Sequence, residues 1–367
     1  MMKLRLLFEA ESVEPDWFTA DFLKQVSSIE LEHNIAQIKD TFGKLKDIQT
    51  TEGKGFLRFE KARIPILIGF NRETQIDVLW LGAPQLENVS LEDLARELKS
   101  TATGEVSVFV TVDGQPLLDD NSQKAMAVGS TFKLVVLKAY EDALKSGEIK
   151  REQVVTLEDS DRSLPSGTLQ VLSVGTPVTL EMLAQLMIKI SDNTATDILM
   201  RILGQERLEA LSPGNVPFMT TRELFQLIAP GAKASREQYR VAGPQERRQI
   251  LSALNSQALP RPDQVGRTAT WQNVEWYLTA REICELLRNV KQAPALDDTS
   301  EPLFEGMNWQ KIGYKGGSEY GVLNLSAIGT TRQGHEICVV VTANGDGAQP
   351  VERIAPLFAD LLRIAGT

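Results

Sequence analysis

The chain reads as an α+β protein of two domains, and three observations predict it. A helical stretch before residue 90 gives way to short strand-like runs. After residue 90 a strand pair, a long helical layer and a second, late strand pair follow. The length of 367 residues with 42% apolar residues and no low-complexity tract is enough for more than one core. The boundary therefore falls near residue 90, giving domains over 1–90 and 91–367.

In the first domain, Trp17 to about Asp47 carries Trp17, Phe18, Phe22, Leu23, Val26, Ile29 and Leu31 at spacings that form one apolar face, which predicts one or two amphipathic helices. Runs over Lys54–Phe59, Ile64–Phe70 and Gln75–Leu81 read as strands, broken by Asn71-Arg72-Glu73 and closed by Gly82-Ala83-Pro84. A helix followed by a short antiparallel sheet suggests a small α+β domain of cystatin-like type. It carries no catalytic cluster, so a packing, dimerising or substrate-presenting role is expected of it.

In the second domain, Leu91–Lys99 reads as a helix, and Val106–Val112 as a strand that turns at Asp113-Gly114 into its partner Gln115–Leu118. The apolar run from Phe132 to Tyr140 predicts a buried helix beginning near Gly129. Leu183–Ile190 and Asn193–Leu203 read as two further helices, meeting at Ser191. Gly321–Gly329 and Glu336–Ala343 read as antiparallel strands and Val351–Ile364 as a closing helix. Between the late strands, Thr331-Arg332-Gln333-Gly334-His335 looks like a hairpin tip.

A net charge of −10 disfavours nucleic acid and anionic membrane as partners. No stretch approaches a membrane span of about 20 apolar residues. Met1–Phe8 begins like a secretion signal, but Glu9 and Glu11 interrupt it. A soluble chain is expected, cytoplasmic by default and exported if a leader was removed. Only His33 and His335 are present, which argues against a Ser-His-Asp triad and against zinc. Cys284 and Cys338 lie in apolar helix-like and strand-like runs, where buried free thiols are the ordinary expectation. No metal and no cofactor is expected.

Three short polar motifs interrupt otherwise apolar stretches: Ser130-Thr131-Phe132-Lys133, Ser191-Asp192-Asn193 and Lys315-Gly316-Gly317. A serine hydroxyl is a poor nucleophile at neutral pH and needs a neighbouring base. Positions i and i+3 share a helix face, so Lys133 can reach Ser130. Burial on an apolar helix lowers a lysine's pKa toward the range where it accepts a proton. Each motif alone is weak; S-x-x-K also describes a surface lysine on a core helix. Together, far apart in sequence, they converge only through tertiary folding.

With Thr194-Ala195-Thr196-Asp197 after the second motif and Ser318 after the third, these segments resemble the motifs of class A β-lactamases and penicillin-binding proteins, over roughly residues 91–367. The resemblance implies a β-lactamase/transpeptidase-like domain, an antiparallel sheet plus a helical subdomain. The N-terminal segment and Glu275–Arg281 extend it to two-domain β-lactamase-like proteins encoded with clavulanic acid biosynthesis. By that resemblance Ser130 is the acylated nucleophile and Lys133 takes or relays its proton. Ser191 protonates the departing nitrogen, Asn193 binds a substrate amide and steadies Lys133, and Lys315 holds a substrate carboxylate. The resemblance also implies that the N–H groups of Ser130 and Ser318 form an oxyanion hole and that Gly316, Gly317 and Ser318 bind substrate. Pocket walls are expected from Ala258–Thr270 and Ala293–Phe304.

Two departures stand out. Gly316 replaces the family's threonine or serine, removing one hydroxyl from the carboxylate site. No Glu-x-x-Leu-Asn pattern supplies a water-activating glutamate; Glu206 and Glu209 lack the asparagine, and Glu223 and Glu282 fit capping boxes after Thr220 and Thr279. Three functions follow: a serine acyl-enzyme hydrolase on a small-molecule β-lactam, amide or ester with slow deacylation; a carboxypeptidase acting on a peptidoglycan peptide; or a penicillin-recognising module without turnover.

Overall fold

The chain divides into two compact units, Met1–Ser90 and Leu91–Thr367. The computed structural model describes residues 2–366 apart from 11, 83, 267, 298–301, 305, 306 and 308.

The first unit opens with helix α1 (Met2–Glu9), whose Leu4, Leu7 and Phe8 are buried. Three residues of the stretch that begins like a secretion signal, Leu4, Leu7 and Phe8, are thus core residues of this unit. After the short α2 (Ala20–Leu23) comes α3 (Ser28–Phe42), started by a Ser27–Glu30 capping box. Gly43, at φ +81°, stops it. The helical expectation as far as Asp47 was therefore too long, and β1 (Leu45–Thr51) occupies that stretch. Strands β2 (Lys54–Phe59), β3 (Ala62–Phe70) and β4 (Ile76–Leu81) complete an antiparallel meander, with β5 (Gln85–Leu86) pairing beside β3.

In the second unit, α4 (Leu91–Thr101) leads into β6 (Glu105–Val112) and β7 (Gln115–Asp120). The chain then passes through β8 (Met126–Ala127) and a 3-10 turn, Gly129–Phe132, into α5 (Lys133–Lys145). The β9 (Val154–Thr156) and β10 (Pro177–Thr179) pair precedes α6 (Leu180–Lys189), α7 (Asn193–Leu203) and α8 (Gln205–Leu211). Helices α9 (Thr221–Ile228), α10 (Lys233–Val241) and α11 (Pro244–Leu254) extend the helical layer. β11 (Tyr277–Leu278) pairs with β8, and α12 (Ala280–Val290) returns to the sheet.

Three long strands finish the sheet: β12 (Trp309–Glu319), β13 (Val322–Thr331) and β14 (Glu336–Asn344), before α13 (Val351–Ala365). The order is β12-β13-β14-β6-β7, antiparallel throughout. Nearly every residue of β14 and β6 is buried, because helices cover both faces of the sheet centre. No sequence signal pointed to β12. Its Gly313, Gly316 and Gly317 lower strand propensity, yet close neighbours require them: a Cβ on Gly313 would stand 2.8 Å from Leu296.

Cys284 on α12 and Cys338 on β14 form a disulfide, so the expectation of two free thiols fails. Their apolar runs pack face to face, an adjacency that only the fold creates. Among the described residues, no helix is long and apolar enough to cross a membrane.

Candidate active site

The 3-10 turn that carries Ser130 is held from two sides. Thr131 Oγ1 donates 2.8 Å to Asn324 Oδ1 on β13, and the Phe132 ring stacks on Trp276 at 3.7 Å between centroids. Strand β12 passes directly against it. A Cβ on Gly317 would lie 2.6 Å from Ser130 N and 2.1 Å from the Val128 carbonyl oxygen. Glycine is therefore required there, and it brings the Ser130 turn within contact of the strand that carries Ser318.

Lys133, fully buried, stands one turn beyond Ser130. Its Nζ donates 2.6 Å to Asn193 Oδ1 and 2.6 Å to the Ser191 carbonyl oxygen, and lies 3.2 Å from Ser130 Oγ and 3.0 Å from Ser191 Oγ. The first two partners can only accept. They take two N–H bonds, so the remaining valence of the nitrogen points at the two hydroxyls. Burial, reinforced by the positive charge of Lys315, holds the Lys133 pKa well below the ordinary lysine value. In the neutral amine that remaining valence is a lone pair directed at the Ser130 and Ser191 hydroxyls.

The second motif is shaped by the junction between α6 and α7. Ser191 sits at φ +56°, a left-handed conformation that a serine adopts at some cost. Asp192 caps α7 through Ala195 N at 2.9 Å, while its other oxygen accepts from Thr168 N and Leu169 N at 2.6 and 2.9 Å. This fastens the segment that contains Ser166, whose hydroxyl donates 2.7 Å to the Ser191 carbonyl. Asn193 is fixed at both ends, since its Nδ2 donates 3.0 Å to the Leu164 carbonyl.

Lys315, on β12, reaches Ser191 Oγ at 3.2 Å. Burial lowers its pKa to about 7. All eight residues singled out from the sequence, Ser130, Lys133, Ser191, Asn193, Lys315, Gly316, Gly317 and Ser318, thus come together. Seven line or face one cleft of about 530 Å³, and Lys133 stands behind it.

The remaining walls were not foreseen. They come from Pro165 and Ser166, Ile188 to Ile190, Tyr314, Glu319, Leu323 to Leu325 and Val351. No described residue of Ala258–Thr270 or Ala293–Phe304 lines the cleft; Arg267 and Asp298–Glu301 in those segments lie outside the described residues. A Cβ on Gly316 would meet the Tyr314 hydroxyl oxygen at 2.5 Å, so a tyrosine hydroxyl occupies the space into which the family's threonine or serine would project. The glutamates weighed as water activators are elsewhere. Glu223 and Glu282 complete the Thr220 and Thr279 capping boxes, Glu209 pairs with Arg248 at 2.5 Å, and Glu206 is exposed in the first turn of α8.

The model of the beta-lactamase enzyme family matches residues 90–354. Among solved structures, a β-lactamase from Sphaerobacter thermophilus DSM 20745 is similar at 21% identity and TM-score 0.54, over 76% of this chain and 98% of that one. One from Xanthomonas campestris pv. campestris str. ATCC 33913 is similar at 19% identity and TM-score 0.50, over 75% and 98%. A reconstructed ancestral class A β-lactamase gives 19% and 0.50, over 74% and 97%. At these identities the likeness is one of fold. No curated protein matches the chain.

Proposed function

The chain belongs to the beta-lactamase enzyme family, and from that premise we propose a serine hydrolase that works through an acyl-enzyme on a β-lactam or a related amide or ester, releasing β-lactam acyl groups slowly. The observation that carries this reading is the placement of Lys133 Nζ, with two of its valences occupied by carbonyl-type acceptors and the third aimed between Ser130 Oγ and Ser191 Oγ.

Acylation follows from those distances. Ser130 Oγ attacks the substrate carbonyl carbon as its proton passes to the Lys133 amine. Charge growing on the carbonyl oxygen is met by the N–H groups of Ser130 and Ser318; one such donor is worth roughly 3 kcal/mol. As the C–N bond breaks, the nitrogen takes the Ser191 hydroxyl proton. Ser191 recovers a proton from the neighbouring lysines, Lys133 at 3.0 Å and Lys315 at 3.2 Å. Lys315, with a pKa lowered to about 7, is suited both to supply it and to pair with a substrate carboxylate. The Cys284–Cys338 bond supports maturation in an oxidising compartment.

The test is intact mass after mixing with a penicillin, followed over time, beside Ser130→Ala. A one-equivalent adduct on the wild type and none on the variant is expected. A chromogenic cephalosporin should give a burst near one equivalent and then weak turnover, while a p-nitrophenyl ester turns over continuously. Equal labelling of both proteins removes Ser130 from the mechanism, and fast linear cephalosporin hydrolysis without a burst removes slow release.

A further inference from the structure

Two carboxylates outside the three motifs, the buried Glu275 and the half-buried Glu319, stand beside the nucleophile. Along β12 the side chains of Lys315 and Glu319 share one face, with Gly317 between them. Since the Ser130 turn rests against Gly317, the nucleophile is flanked by Lys315 on one side and Glu319 on the other. Glu319 lines the active-site cleft and also a second, small cavity of about 10 Å³, room for about one water molecule. Glu275 lines that same cavity from across it. Its carboxylate accepts from the Gly129 and Trp276 N–H groups, one residue before the nucleophile and one after itself. Glu275 further lines a third pocket, of about 190 Å³, with Asn215, Arg247 and Tyr277. The three spaces follow one another through the two glutamates.

We propose that Glu319 is the base that activates the deacylating water, and that Glu275 is the positioning residue that shares a proton with it. This inference rests on the acyl-enzyme reading above. A water in the cleft gives a proton to the Glu319 carboxylate as its oxygen bonds to the acyl carbon. The ester bond to Ser130 Oγ then breaks, and Oγ takes the proton held by Glu319, relayed through the neutral Lys133 amine, which leaves a free acid and the resting enzyme with Glu319 ionised and Lys133 neutral. Burial raises both pKa values, the Glu319 charge adds to the rise at Glu275, and Lys133 favours the ionised form of Glu319. With its pKa raised to about 7, Glu319 is only partly ionised at neutral pH. The titratable and charged groups around the pair are Lys133 beside Glu319, Tyr320 in the shared cavity and Tyr277 beside Glu275, with Arg240 and Arg247 beyond that tyrosine.

The test uses the full chain and its Glu319→Gln, Glu319→Asp and Glu275→Gln variants. Adduct formation with a fluorescent penicillin is read separately from adduct loss and from p-nitrophenyl acetate turnover. Glu319→Gln should label Ser130 to wild-type stoichiometry but lose the acyl group about 100-fold more slowly, the usual size of a general-base contribution. Glu319→Asp, still a carboxylate, should recover part of the rate. Glu275→Gln removes the site that competes with Glu319 for the shared proton and should move the acid limb of deacylation to lower pH, which a merely structural role would not do. Acyl loss from Glu319→Gln at the wild-type rate overturns the base assignment, and an unmoved limb in Glu275→Gln overturns the pairing. A wild type that never labels overturns the acyl-enzyme reading itself, and this inference with it.

Discussion

Asn193 Oδ1 accepts a 2.6 Å hydrogen bond from Lys133 Nζ, and through it a residue of α7 decides which valence of a lysine on α5 faces the nucleophile. A neutral amide oxygen does this without adding charge, so the lowered pKa of Lys133 is preserved. A carboxylate in the same place would stabilise the ammonium.

Acylation needs the neutral amine, so its rate should rise with pH through the lowered Lys133 pKa and fall on the acid side. Asn193→Asp should move that acid limb to higher pH. Lys133→Ala should lower acylation by about 100-fold or more while the protein stays folded, and Lys133→Arg should not rescue it, because arginine does not deprotonate. Labelling rates with a fluorescent penicillin across a pH series check all three; near-normal labelling of Lys133→Arg would show that lysine serves only as a charge.

Lys315 titrates near 7, cationic below and neutral above. The KM for substrates that carry a carboxylate should therefore rise as pH passes above about 7, whereas the KM for an uncharged ester should not. Steady-state kinetics on a matched pair of substrates distinguishes the two; equal rises in both would mean that Lys315 does not hold the carboxylate.

The Tyr314 hydroxyl fills the place beside Gly316. Tyr314→Phe should raise KM for carboxylate-bearing substrates several-fold and leave simple esters unaffected. Gly316→Thr alone should destabilise by about 1–3 kcal/mol, the usual cost of overpacking. Combining it with Tyr314→Ala should restore the melting temperature, which thermal denaturation of the three variants will show.

The Cys284–Cys338 bond closes a separation of 54 residues between α12 and β14. Its loss through paired serine substitutions should destabilise the second unit by about 2–4 kcal/mol. Denaturant unfolding measures this, and an unchanged midpoint would show that packing alone holds the helix to the strand.

Much of this chain is written in local patterns. Residues Lys54–Phe59 and Asn193–Leu203 fold with the bounds that their periodicity and flanking residues predict. Glu223 and Glu282 each lie three positions after a threonine, and each caps a helix. Ser130, Lys133 and Ser191 were legible as candidates because serine acyl transfer calls for those residue types and their motifs resemble the family's in order. Helix and strand periods, caps and catalytic residue types are short-range properties, and the sequence by itself determined them.

Other features required the fold. Ser191 and Lys315 are 124 positions apart, and only the packing of β12 against the Ser130 turn brings their side chains to 3.2 Å. Strand β12 was invisible because its glycines are unfavourable locally and are needed only for what they touch. Once it is known to be a strand, Glu319 falls on the face of Lys315, and it lines one cavity with Glu275. The Tyr314 hydroxyl beside Gly316, the joined thiols of Cys284 and Cys338, and the walls at Pro165, Ser166 and Val351 have the same origin. Distances between residues remote in sequence are fixed by tertiary packing, and local propensity carries no record of them.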